Sequence, residues 1–92
     1  MIECAEGRLK ISVPMVMDHA RKLLEAGREY LEAGALTIDL AGVTEVDSSG
    51  LAVLLEWQRA ARGRLAVTGA PEGLTALARL YNLDGLLDLS PR

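Results

Sequence analysis

The segment from 36 to 68 constrains this chain more than any other. Leu36-Thr37-Ile38-Asp39-Leu40 reads as a buried strand, Leu51-Ala52-Val53-Leu54-Leu55 lies in an apolar helix predicted over 48–62, and Leu65-Ala66-Val67-Thr68 reads as a second strand. Two strands separated by one helix have the length of a βαβ crossover, which sets the strands parallel and lays the helix on one face. The turn Val46-Asp47-Ser48-Ser49-Gly50 joins the first strand to the helix. It therefore lies at a strand carboxyl end, where open α/β sheets gather ligands and partners.

The chemistry of that turn follows from its place at a helix N-terminus. Either Asp47 or Ser48 accepts a hydrogen bond from one of the first free backbone N–H groups, and the Asp47 carboxylate offsets the positive end of the helix dipole. A phosphate on Ser48 or Ser49 would add about −1.5 to −2 charges beside Asp47 and change any surface docking there. The turn reads as a switch or a docking point. The plainer alternative is that the serines only cap the helix, worth ~1 kcal/mol. Capping and docking are compatible.

The flanking segments complete an α/β pattern. Strands near 1–5 and 8–13 surround Glu6-Gly7, with Leu9, Ile11 and Val13 alternating against Arg8, Lys10 and Ser12, and read as an edge hairpin. Pro14 suits the first turn of an amphipathic helix over about 14–32, whose stripe runs through Val16, Ala20, Leu23, Leu24, Gly27 and Leu31 before Gly34 ends it. Pro71 and Glu72 open a last helix over about 71–82 through Leu74, Leu77, Ala78 and Tyr81. Leu86-Leu87-Asp88-Leu89 is a terminal strand or a loop. The expectation is one domain over 1–92, a small mixed sheet with helices around a central βαβ unit. At 92 residues such a domain buries a modest core without staples.

Helix 48–62 carries two apolar stripes, Leu51, Leu54 and Leu55 on one side and Val53, Trp57 and Ala60 on another. A helix with two apolar sides has two neighbours. A small sheet covered on one face occupies only one of them, so Val53 and Trp57 are expected to face a partner, with Trp57 as the anchor. Tyr81 and Asn82 either close the last helix or add to the rim of that interface.

Several functions are disfavoured by what the chain lacks. A net charge of -3 provides no basic field for nucleic acid, and no Lys/Arg cluster coincides with stacking aromatics. Cys4 is the single cysteine, which suits a reducing compartment and a cytoplasmic home. No run approaches the ~20 apolar residues of a membrane span, and the first residues do not resemble a secretory leader. His19 and Cys4 have no metal-ligand partner at a recognisable spacing, so neither metal nor cofactor is expected. Hydrolysis would need Ser48 or Ser49 activated by His19 with Asp39 or Asp47, but the nucleophile elbow is absent, as is a phosphate-binding glycine loop. The chain is expected not to be an enzyme.

Asp39-Leu40 and Val46-Asp47-Ser48-Ser49-Gly50-Leu51, in this order of elements, resemble the STAS domain family, named for sulfate transporters and anti-sigma-factor antagonists. The run Leu77-Ala78-Arg79-Leu80-Tyr81-Asn82-Leu83 is similar to the cytoplasmic STAS subunit of the Mla system, an ABC transporter that maintains outer-membrane lipid asymmetry. That resemblance implies a non-enzymatic subunit that binds the transporter's ATPase, within a complex containing a membrane permease, at the inner face of the inner membrane. Together with the second stripe of helix 48–62, it gives an expected partner surface formed by Asp47, Ser48, Ser49, Gly50, Val53 and Trp57. Ser48 matches a threonine that contributes to ATPase docking in that subunit. Ser49 matches the serine that a partner kinase phosphorylates in anti-sigma-factor antagonists, so an antagonist regulated by an anti-sigma serine kinase is the alternative.

Overall fold

The computed structural model describes residues 2–5, 7–34, 37–83 and 85–91. Strand β1 (Ile2–Ala5) pairs antiparallel with β2 (Arg8–Ile11), and β3 (Thr37–Asp39), β4 (Ala66–Ala70) and β5 (Asp88–Pro91) follow in parallel, giving the sheet order β1-β2-β3-β4-β5. Helices α1 (Ala20–Glu32), α2 (Ser48–Ala60) and α3 (Glu72–Leu80) are the three crossovers. The mixed sheet and the central βαβ unit agree with the sequence pattern. Of the segment 86–89, read as a terminal strand or a loop, only Asp88 and Leu89 are strand, at the start of β5. Met1, Glu6 and Leu36, which the expected strands and hairpin turn include, lie outside the described residues.

Each crossover advances the sheet by one strand in the same direction, and crossovers of one hand then place all their helices on one face. Burial follows that rule. Leu9, Ile38 and Val67 stand in register across three strands and are buried, with Leu89 beside them on β5. On the opposite face Glu3, Lys10, Asp39 and Thr68 share a register row, and Arg8 and Lys10 are exposed. Charged residues on alternate strand positions thus mark the face that no helix covers.

The first helix begins later than its periodicity predicts. A 3-10 turn covers Met17–His19 and α1 starts at Ala20, whereas Pro14 was expected in the first helical turn. Met15 is the cause. Its N–H donates to the Glu45 carbonyl at 2.9 Å, and its own carbonyl accepts from the Asp47 N–H at 3.2 Å. With both backbone groups bridged to the 41–47 loop and its side chain buried, Met15 remains extended.

The other helix ends obey local rules. Gly34 follows α1 at φ 106. The α2 end is a Schellman closure with Arg62 at φ 56, Gly63 N–H donating to the Gln58 carbonyl at 2.9 Å and Arg62 N–H to the Arg59 carbonyl at 3.1 Å. Asn82 closes α3 in the same way at φ 58, with Leu83 N–H on the Ala78 carbonyl at 2.7 Å. Asn82 is therefore a helix terminator, and Tyr81 beside it is exposed.

Candidate functional site

The site is assembled where two loops at strand carboxyl ends lie side by side. Residues 12–16 follow β2 and residues 41–47 follow β3; the parallel bridge between Met15 and Val46 fastens one to the other. Gly50 makes this closeness possible, because a β-carbon there would meet the Met15 carbonyl oxygen and the Val46 side chain. Gly50 is thus a packing residue at the base of the turn.

Asp47 ties the bridge to both neighbouring helices. It is the N-cap of α2, with extended backbone at φ -126, and its Oδ1 accepts from the Ser49 N–H at 2.8 Å. Its Oδ2 accepts from the Met17 N–H at 3.2 Å, at the start of the turn leading into α1. One carboxylate therefore satisfies orphan N–H groups at two helix entries. Partial desolvation works to raise its pKa, but hydrogen bonds from the backbone N–H groups of Ser49, Met17 and Gly50 and from the Ser49 hydroxyl prevail, so the carboxyl sits below its ordinary value. Of the two capping candidates, Asp47 caps and Ser48 is free to face outward.

Ser48 is the first residue of α2 and is exposed. Ser49 is half-buried and lines a shallow apolar groove between α1 and α2 with Ala20, Leu24, Ala52 and Val53, rimmed by Arg21 and Glu56. Ala52, one turn beyond Ser48, is exposed. Met17 stands at the same tip with 73% of its surface open. Neither Met17 nor the α1 wall of the groove was expected in the site, since both arrive through the Met15–Val46 bridge. The available signal was the pair Met15 and Met17, apolar residues that the helical stripe does not absorb.

The expected second face of α2 is corrected. Val53 and Trp57 are both buried, Trp57 with only 1% exposure, whereas Ala60 is exposed. The helix does have two neighbours, but the second is α1 of the same chain. The indole occupies a notch at Gly27, and its Nε1 donates to the Leu24 carbonyl at 3.3 Å. A side chain so enclosed offers no anchor to a partner that docks on the folded domain. Of the six predicted partner-site residues, the structure groups Asp47, Ser48, Ser49 and Gly50 at one tip. Val53 contributes to the lining of the groove, whereas Trp57 is packed at Gly27 and does not line it.

A family model described as MlaB, STAS domain, matches residues 2–88. The chain belongs to the STAS domain family, in its MlaB-like branch. No match is found among curated proteins. The five-stranded mixed sheet with three helices is consistent with the STAS fold. STAS domains are generally non-enzymatic binding domains, and this one is of the regulatory and binding type. Among the described residues no group of three or more His, Cys, Asp or Glu is placed to hold a metal ion. No helix there is long and apolar enough to cross a membrane.

Proposed function

We propose that this STAS domain binds and stabilises or regulates the ATPase of a phospholipid-moving ABC transporter that maintains outer-membrane lipid asymmetry. It would sit at the cytoplasmic face of the inner membrane, held there through the ATPase and its permease. The observation that carries the reading is the MlaB-like family match over residues 2–88. The tip of α2 supports it physically. Ser48 and Ala52 are small and exposed, which admits a partner's backbone or a bulky side chain, and the groove at Ser49 supplies an apolar centre with charged edges at Arg21 and Glu56. Asp47 acts as a positioning residue that holds Ser48 and Met17 together. Binding to one state of the ATPase shifts it toward that state by mass action, about 2.7 kcal/mol when the free domain is at a hundredfold its Kd.

The test is a pull-down from native membranes with tagged wild type and the Ser48→Arg variant, after circular dichroism has established that both are folded. Recovery of an ABC ATPase by wild type and its loss with Ser48→Arg supports the reading. Retention by both refutes the assignment of the surface, and recovery of no transporter component by wild type refutes the function. The alternative of an anti-sigma-factor antagonist is favoured by one feature, a serine at position 49 just before Gly50. Phosphopeptide mass spectrometry decides it: an unmodified Ser49 in the presence of the candidate kinase removes that alternative.

A further inference from the structure

Two methionines stand two positions apart where the loops are bridged, and the fold treats them oppositely. Met15 is fully enclosed, whereas Met17 has 73% of its surface open. The backbone around both is fixed: Met15 is bonded to Glu45 and Asp47, the Met17 N–H donates to Asp47 Oδ2 at 3.2 Å, and the His19 N–H returns to the Val16 carbonyl at 2.9 Å. Met17 is thus held at the tip by its main chain while its side chain faces solvent. It belongs neither to the core nor to α1, which begins at Ala20. Its place is on the candidate docking surface, where Ser48 follows directly on Asp47 and where Met17 lines one concavity with Val16, Asp18, Glu45, Val46 and Asp47.

An exposed thioether reacts with peroxide, and an enclosed one is spared. A lone pair on Sδ attacks one peroxide oxygen, so that the S–O bond forms as the O–O bond breaks, and the displaced hydroxide takes the proton of the transferred OH group and leaves as water. Sulfur loses two electrons and the peroxide gains them. Hydrogen peroxide is uncharged, so the carboxylates of Asp18, Glu45 and Asp47 around the concavity do not repel it. The product is a polar, chiral sulfoxide where a flexible apolar side chain stood.

We propose that Met17 is a redox modification site: hydrogen peroxide converts it to the sulfoxide in the free domain, and the oxidised tip binds its partner more weakly. The inference rests on the reading of this tip as the ATPase-docking surface and adds a reversible control to it. Docking takes an apolar side chain out of water, and a sulfoxide loses most of that stabilisation. Once bound, the partner covers Met17 and shields it from oxidant. Methionine sulfoxide reductases restore the thioether.

The test treats the folded domain with dilute hydrogen peroxide, maps oxidation by peptide mass spectrometry and measures ATPase affinity before and after by calorimetric titration. A thiol reductant added after the peroxide returns reversibly oxidised Cys4, which is exposed, to its thiol. Met17 is expected to oxidise faster than Met15, and the oxidised domain to bind about tenfold more weakly, with recovery after treatment by the reductases. Met17→Leu has no sulfur at this position, so its affinity, whatever its starting value, should be the same before and after peroxide. Met17→Gln places a polar side chain of similar length there and should weaken binding without any oxidant. Equal oxidation of Met15 and Met17, unchanged binding by a domain oxidised at Met17, or a loss that Met17→Leu shares with wild type would each overturn the proposal and leave the docking surface standing. Failure of the untreated domain to bind the ATPase would overturn the docking reading itself, and the proposal with it.

Discussion

The indole of Trp57 fills a notch in α1 that exists because residue 27 is glycine; a β-carbon there would overlap Cε2, Nε1 and Cζ2 of the ring. This contact joins α1 to α2 and so holds one wall of the Ser49 groove against the other. Gly27→Ala is expected to destabilise the domain by about 1–3 kcal/mol through overpacking, and Trp57→Ala by about 3–5 kcal/mol through the cavity it leaves. Denaturant titrations followed by circular dichroism measure both. As the single tryptophan, Trp57 also reports its own burial: wild-type emission should be blue-shifted and poorly quenched by acrylamide.

Replacing Asp47 separates its capping from any contact with a partner. Asp47→Asn keeps an acceptor oxygen and should lose less stability than Asp47→Ala, which leaves the Ser49 and Met17 N–H groups without their acceptor. Paired denaturation curves give the order, and Ala proving no worse than Asn would remove the double cap from the account.

The pH dependence follows from the direction of the Asp47 shift. Its folded-state pKa lies below the ordinary 3.8, so the unfolded chain binds the proton more readily and stability rises with pH in that range. The contribution is present in full above the unfolded value and is lost as pH falls through the folded one. The stability gap between wild type and Asp47→Asn should therefore narrow as solutions are acidified from pH 6 through the carboxylate range, about 5 down to 2. A constant gap would mean that the carboxylate charge adds nothing.

Gly50→Ala tests whether the loop bridge positions the site. The added methyl meets the Met15 carbonyl oxygen and Val46, so a cost of about 1–3 kcal/mol is expected. Amide exchange should speed up at Met17 and Asp47, whose N–H groups are bonded across the junction. Partner binding should fall although Ser48 is untouched.

Surface variants test the docking assignment from the other side. Ser48→Arg, Ala52→Glu and Met17→Glu change exposed side chains, so unfolding free energies should move by about 0.5 kcal/mol or less. ATPase binding should fall about tenfold or more for Ser48→Arg, the loss expected of a residue near an interface centre. Calorimetric titration against the purified ATPase gives the comparison.

Local pattern carried most of the elements. Alternation at Leu9 and Ile11 marks β2, the motif at 46–51 marks the entry to α2, and Pro71 with Glu72 marks α3; each depends on contacts or dihedral preferences within a few residues. The start of α1 was not legible in this way. The periodic stripe continues back through Val16, but bonds from Met15 to Glu45 and Asp47, about thirty residues away, override it.

By itself the sequence determined the parallel α/β arrangement, the STAS motif and the placement of Asp47 to Gly50 at a helix tip, because strand period, helix period and capping chemistry are local. It also determined that α2 has two apolar sides. Only the tertiary structure decided what covers the second side. Trp57 requires a recess, and whether one exists depends on a missing side chain at Gly27, thirty positions earlier and brought opposite by the sheet topology. The same holds for Met17, which joins the site through one carboxylate oxygen of Asp47. Periodicity shows which surface must leave water, but not which surface it meets, since burial is non-directional and the partner is chosen by shape.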